Sequence, residues 1–201
     1  MLQKLRSSSA VLAAVLIMAA TGASAASAAE FHMGSTTGSV TDNQSGVASK
    51  FTSSAGTFTC TVAHFAGTFS ASTTTQQTVT PKYEKCTAFG FINVPVDVNG
   101  CGYILTAAVG GQIHIECPAG KSIEITAPGC STSIGPQTVG SVEYTNSTDA
   151  TTGKMEVIAH WNVTGITYNE CGTVRNNATF TGTTTYTAKN ALGQPVDVTW
   201  T

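Results

Sequence analysis

Charge is scarce in this chain: 10% of its residues are Asp, Glu, Lys or Arg, against about 25% in ordinary soluble domains. Thr, Ser, Gly and Asn supply the polarity instead, as is usual for extracellular β proteins. The nine basic residues form no cluster able to neutralise phosphates, so no nucleic-acid partner is expected. Disorder is excluded too, because 41% of residues are hydrophobic and recur with period two. No segment carries sustained helical periodicity with caps. The apolar run at residues 10–20 is too short to span a bilayer comfortably and no second one follows, so no membrane insertion is expected. No close C-x-x-C pair points to zinc. No G-x-S-x-G, H-E-x-x-H, phosphate-cradling glycine loop or acidic calcium loop occurs. No catalytic residue, metal or cofactor is therefore assigned.

What is present begins with an export signal: Lys4 and Arg6, the apolar run, then small residues through Ser24, Ala26 and Ala28. Residues 1–28 read as a signal peptide and residues 29–201 as a single secreted domain, enough for one hydrophobic core. Losing Lys4 and Arg6 leaves seven basic residues against eleven acidic. No cysteine stands near the cleavage site, and residues 196–201 hold neither a sorting signal nor a hydrophobic tail. Release into the medium, or loose association with the cell surface, is expected. Cys60, Cys86, Cys101, Cys117, Cys130 and Cys171 all follow the signal, and in an oxidising compartment they read as three structural disulfides.

The stretch 91–127 is the richest in strand signals. Asn99-Gly100 is a two-residue hairpin signal; pairing Val98 with Cys101 sets Val96 opposite Tyr103 and Val94 opposite Leu105. A second turn at Ala108, Val109 and Gly110 pairs Leu105 with Ile113 and Tyr103 with Ile115. A third, through Pro118 and Gly120, pairs Ile115 with Ile123 and Ile113 with Ile125. One face is apolar throughout, and a one-residue slip would turn it to water. In this register Cys101 meets Cys117 at a non-hydrogen-bonded site, with Cα atoms ~4.5 Å apart, within reach of a bridge. The missing N–H of Pro95 marks the first strand as an edge or a bulge.

Elsewhere Phe58, Cys60 and Val62 alternate with threonines, with His64 continuing on the Cys60 face. Val157, Ala159, Trp161 and Val163 alternate, as do Phe180, Thr184 and Tyr186. Residues 34–46, rich in Ser, Thr and Gly, read as an extended arm or loop. The expected fold is all-β: an antiparallel β-sandwich, Ig-like or jelly-roll-like, of about 10 strands with three disulfides. A faint duplication sets Ala63-His64-Phe65 before Cys86 and Ala159-His160-Trp161 before Cys171. If genuine, it makes Cys60–Cys86 and Cys130–Cys171 equivalent bridges, the nearest-in-order scheme among the several possible.

Two candidate patches follow. The derived register sets His114 on the outer face opposite Glu124 and two residues from Glu116, placing an imidazole between two carboxylates. The ordinary reading is a solvated sheet face with one favourable cross-strand pair. Trp161 and Trp200, with Tyr144 and Tyr168, are candidates for stacking a sugar ring; core packing is the ordinary reading of Trp161.

The run Asn99-Gly100-Cys101-Gly102-Tyr103, then Glu116-Cys117-Pro118-Ala119-Gly120 and Cys130, resembles uncharacterised secreted six-cysteine proteins of actinobacterial type. The resemblance implies compartment and fold class only. The leading expectation is a non-enzymatic extracellular protein of surface structure, adhesion or interaction, its partner a cell-surface glycan or protein. A carbohydrate-binding module, which needs an exposed Trp or Tyr, is the alternative; a secreted hydrolase, which needs acids or a His converging in one cleft, comes third.

Overall fold

The computed structural model describes residues 28–201, so the signal expected over residues 1–28 lies outside the described residues apart from Ala28. The described chain forms β1 (Phe31–Met33), β2 (Gly38–Gln44), β3 (Ser49–Ser53), β4 (Gly56–Phe69), β5 (Thr73–Thr74), β6 (Gln76–Ala88), β7 (Ile92–Asn93) and β8 (Val96–Asp97). It continues with β9 (Gly102–Thr106), β10 (Gly111–Glu116), β11 (Ile123–Ala127), β12 (Cys130–Ile134), β13 (Gln137–Thr148) and β14 (Met155–Glu170). β15 (Thr173–Asn190), β16 (Pro195–Val196) and β17 (Val198–Trp200) complete it.

Eight of these close a ring in the order β15, β2, β4, β6, β9, β10, β13, β14, with β14 pairing back onto β15 and every ladder antiparallel. The fold is therefore a closed β-barrel, not a sandwich. Alternating strands suit both architectures; closure follows from β14 and β15, 16 and 18 residues long, which pair with each other and with both ends of the meander. An eight-stranded barrel has an interior just wide enough for side chains to fill. Val40, Phe65, Leu105, Val142, Val157 and Trp161 fill it here.

One end of the barrel is capped by β17–β1–β5, which buries Phe31, Met33 and Val198. Towards the other end β3 takes over from β2 between β15 and β4. There β12, β11 and β8 extend from β14 and bring Ile123, Ile125 and Ile134 into the core. The stretch 34–46 is no arm: β2 lies inside it, paired on both sides.

All three disulfides follow the nearest-in-order scheme, Cys60–Cys86, Cys101–Cys117 and Cys130–Cys171. The Cys101–Cys117 Cα separation is 4.0 Å, and the hairpin that produces it pairs Leu105 with Ile113 and Tyr103 with Ile115 as expected. The flanking ladders differ. The Asn99-Gly100 turn forms, with the Cys101 N–H donating to the Val98 carbonyl at 2.7 Å, but the partner of β9 is β6, and β8 pairs with β11. The Pro118 turn forms too, yet β10 pairs with β13 and β11 with β12. The duplication finds no support in the topology: His64 and Cys86 lie on the paired strands β4 and β6, whereas Cys171 directly follows the strand that carries His160.

His64 faces outward, opposite to its expected side. Lys85, at φ 52°, lies opposite Thr61 where the β4–β6 ladder is interrupted without a change of register: Cys60 pairs with Cys86 and Val62 with Glu84. Both strands change their inward phase there together, β4 from Cys60 to Ala63 and Phe65 and β6 from Cys86 to Pro81 and Val79.

Candidate functional site

The two patches expected from the sequence separate on folding. His114 Nε2 lies 3.6 Å from Glu116 Oε1 and its Nδ1 2.7 Å from Thr138 Oγ1, all on the outer face. Glu124 sits across from Ser133 and Asp97 instead, because β11 left β10 for β12. The imidazole between two carboxylates does not form. Among the described residues, no group of three His, Cys, Asp or Glu side chains could hold a metal ion.

Trp161 points into the barrel and is 3% exposed. Its ring stacks on Phe65 at 5.5 Å and meets Phe180 edge-on at 5.9 Å. Trp200 is half-buried in the cap. Its indole N–H donates to the Ala107 carbonyl, and its backbone is held on both sides by the Asn146 amide at 2.8 Å. Neither tryptophan is exposed, and no tyrosine among the described residues is. Trp161 is a core residue because its position repeats the inward phase of Val157 and Ala159.

A polar cluster centred on Asp42 lies inside the barrel. Asp42 is wholly buried, and its Oδ2 accepts from Thr184 Oγ1 at 2.8 Å, which in turn accepts from Trp161 Nε1 at 2.8 Å. Burial pushes the Asp42 carboxyl up to about 8, an effect the Thr184 bond only partly offsets. Asp42 Oδ1 and the hydroxyls of Tyr144 and Tyr186 have no protein partner. Burial raises both phenols, and the Asp42 charge raises them further. The cluster opens to no cleft. Two small apolar hollows, of ≈ 40 and ≈ 50 Å³, share a lining of Phe51, Tyr83, Tyr103, Ile123, Ile134 and Phe180. Both are far below the roughly 300–1,000 Å³ of small-molecule sites.

Surface features concentrate at the end opposite the cap, where the turns β3–β4, β6–β7, β11–β12 and β14–β15 converge. Glu170, nearly buried, accepts from Ser53 Oγ at 2.7 Å and Ser54 Oγ at 2.5 Å, with Arg175 Nε at 4.0 Å. Tyr168 OH donates to Asn177 at 3.0 Å and accepts the Ser54 N–H at 3.1 Å. Burial pushes the Glu170 carboxyl up, but the Ser54, Ser53 and Ala55 bonds and the Arg175 charge outweigh it, leaving it below the usual range. A depressed folded pKa gives stability that is present above the unfolded pKa and lost as pH falls through the folded one. Glu170→Ala is expected to cost about 2 kcal/mol near neutrality, from lost hydrogen bonds to a charged acceptor. Urea unfolding at pH 7 and pH 3 checks this, the difference from the parent shrinking in acid.

Beside this network Phe89 and Phe91 are 61% and 78% exposed, the only exposed aromatic residues among those described. The Phe91 N–H donates to the Ala88 carbonyl at 3.2 Å, with φ 53° at Phe89 and 81° at Gly90. These are the signs of a type I′ turn, where Asn or Gly is preferred; a bulky residue at positive φ is a genuine outlier. The Phe89 ring lies against Gly56 of the β3–β4 turn. An open hollow of ≈ 660 Å³, bordered by Thr61, Lys85, Gly90, Asn93 and Pro95, adjoins the tip. Cys60–Cys86 braces β4 to β6 just before it, and Cys130–Cys171 ties the β11–β12 hairpin to the β14–β15 turn. Sequence reasoning passed over this pair. The signal available was Phe-Gly-Phe at a turn, aromatic side chains where the backbone favours Asn or Gly. The chain matches no protein-family model, no curated protein and no solved structure.

Proposed function

We propose that this is a secreted, non-enzymatic barrel that works by contact, through the end bearing Phe89 and Phe91. The observation that carries the reading is the division of labour in the side chains. The acid and phenols of the interior are sealed away, while both exposed aromatic rings stand on one disulfide-braced turn. Three disulfides favour an oxidising, extracellular compartment, in keeping with the export signal and with the resemblance to secreted six-cysteine proteins.

The outer wall supports a barrel in water. Along β14, His160, Asn162, Thr164, Thr167 and Asn169 face outward and are exposed, whereas a membrane-spanning barrel turns an apolar band to lipid. With Trp161 buried and Trp200 half-buried, the carbohydrate-binding alternative lacks the exposed ring it needs, and the one facing acid pair noted above, Glu124 and Asp97, lines none of the hollows described, which leaves a hydrolase without support. The test is co-sedimentation with washed cell envelopes. Parent protein is expected to pellet, and Phe89→Ser/Phe91→Ser to remain in the supernatant with the fold intact. Equal pelleting of both, or turnover of a polysaccharide, ester or peptide substrate lost on changing one acid, overturns the reading.

A further inference from the structure

We propose that the hairpin end docks on the surface of an anionic phospholipid bilayer, with Phe89 and Phe91 entering the headgroup region and Lys85 and Arg175 facing the lipid phosphates. The inference rests on the contact reading above and names its partner.

Three features select this occupant. The first is shape: the two rings project from a convex turn. A folded protein must offer a matching pocket to bury such rings, whereas a fluid bilayer deforms around them. Aromatic residues lodge readily at the boundary between headgroups and acyl chains.

The second is charge. Lys85 adjoins Gly90 across the open hollow, and Arg175 follows the exposed Val174 on the neighbouring β14–β15 turn. Both cations are exposed. Of the acids close to them, Glu84 is 2.6 Å from Lys82, and Glu170, 4.0 Å from Arg175, offsets part of that cation's charge. A chain that is acidic as a whole therefore still sets Lys85, which has no ion-pair partner within 4 Å among the described residues, and the half-exposed Arg175 beside its exposed rings, where they can meet lipid phosphate.

The third is continuity. Phe89 packs on Gly56, the adjoining Ser53 and Ser54 hold Glu170, and Glu170 neighbours Arg175. The aromatic tip and the cations thus belong to one connected platform, and the polar outer wall limits the interaction to that end.

Flotation with vesicles of phosphatidylglycerol and phosphatidylcholine, against phosphatidylcholine alone, tests the proposal. Parent protein is expected to float with the anionic vesicles and to be released by high salt. Phe89→Ser/Phe91→Ser should lower partitioning about a hundredfold, roughly tenfold for each ring removed from the bilayer. Lys85→Gln/Arg175→Gln should lower it by roughly an order of magnitude, chiefly on anionic vesicles. Phe89→Asn, which suits the positive φ, keeps the fold and shows that the loss comes from the ring. Parent protein that ignores both vesicle types, or a double phenylalanine variant that floats as well as the parent, overturns the proposal. Binding to lipid-extracted envelopes alone, dependent on Phe89 and Phe91, removes the lipid assignment and leaves the contact reading standing. Phenylalanine-independent behaviour on vesicles and envelopes alike removes both.

Discussion

Asp42→Asn is expected to stabilise the protein above neutral pH and to flatten its dependence of stability on pH. The carboxyl is wholly buried, with one hydrogen bond to one of its oxygens. Its pKa, about 8 in the fold against 3.8 for the free side chain, is raised by burial. Below the unfolded value both states hold the proton, and the side chain exacts no penalty. As pH rises from about 4 to 8 the unfolded chain ionises while the folded chain keeps its proton, so folding takes up a proton and stability falls. Above about 8 the loss is complete, on the order of 5 kcal/mol for a shift of this size. Asn has nearly the same shape, still accepts from Thr184 and does not ionise. Urea midpoints at pH 5, 7 and 9 should fall steadily for the parent and stay level for the variant. Parallel curves would show that Asp42 is ionised and solvated at neutrality.

Trp161→Ala should cost about 3–5 kcal/mol, the range for deleting a large buried aromatic side chain. The ring loses its stack on Phe65 and its edge contact with Phe180. Thr184 Oγ1 loses the N–H that it accepts, and Thr184 is what holds Asp42. Trp161→Phe retains most of the packing and drops only that bond, so about 1 kcal/mol is expected. Because Trp161, Thr184 and Asp42 form one chain of hydrogen bonds, the Trp161 and Asp42 substitutions should be non-additive. Denaturant unfolding of the two single variants and the double variant measures the coupling. A cost for Trp161→Ala below about 1 kcal/mol, as for a surface position, would mean that the ring faces solvent.

Those residues also show what a sequence discloses and what it withholds. The Tyr103/Ile115 hairpin was legible because its turn, its alternation and its two cysteines agree. The ladders on either side were not, because an apolar face sets the phase of a strand without naming its partner. Ile113, Ile115, Ile123 and Ile125 are all buried as expected, yet β10 pairs with the more distant β13 and β11 with the next strand, β12, rather than with each other. His114 and Glu124 parted for that reason alone. β2 was hidden differently. Its inward positions include Val40 and Asp42, and a strand that turns a carboxyl to the core has the pattern of a loop. His64 changed sides where β4 and β6 switch their inward phase together beside Lys85, and Gly165, at φ 71°, marks where β14 shifts its inward phase from Val163 to Ile166.

The choice between barrel and sandwich was outside the reach of alternation altogether. Both architectures bury one face of each strand, and they differ only in whether the last strands return to the first. β15 does so, lying between β14 on one side and β2 and β3 on the other. Closure is also what seals the Asp42 cluster inside the barrel.

Native-state hydrogen exchange along the eight barrel strands tests that closure directly. In an antiparallel ladder successive amides point to opposite neighbours, so a strand paired on both sides protects consecutive residues. The account predicts unbroken protection across residues 179–189 and across the paired stretches of the other seven strands. Alternate fast and slow amides along any two of them would reveal edges, an open sheet and an accessible interior, and would contradict it.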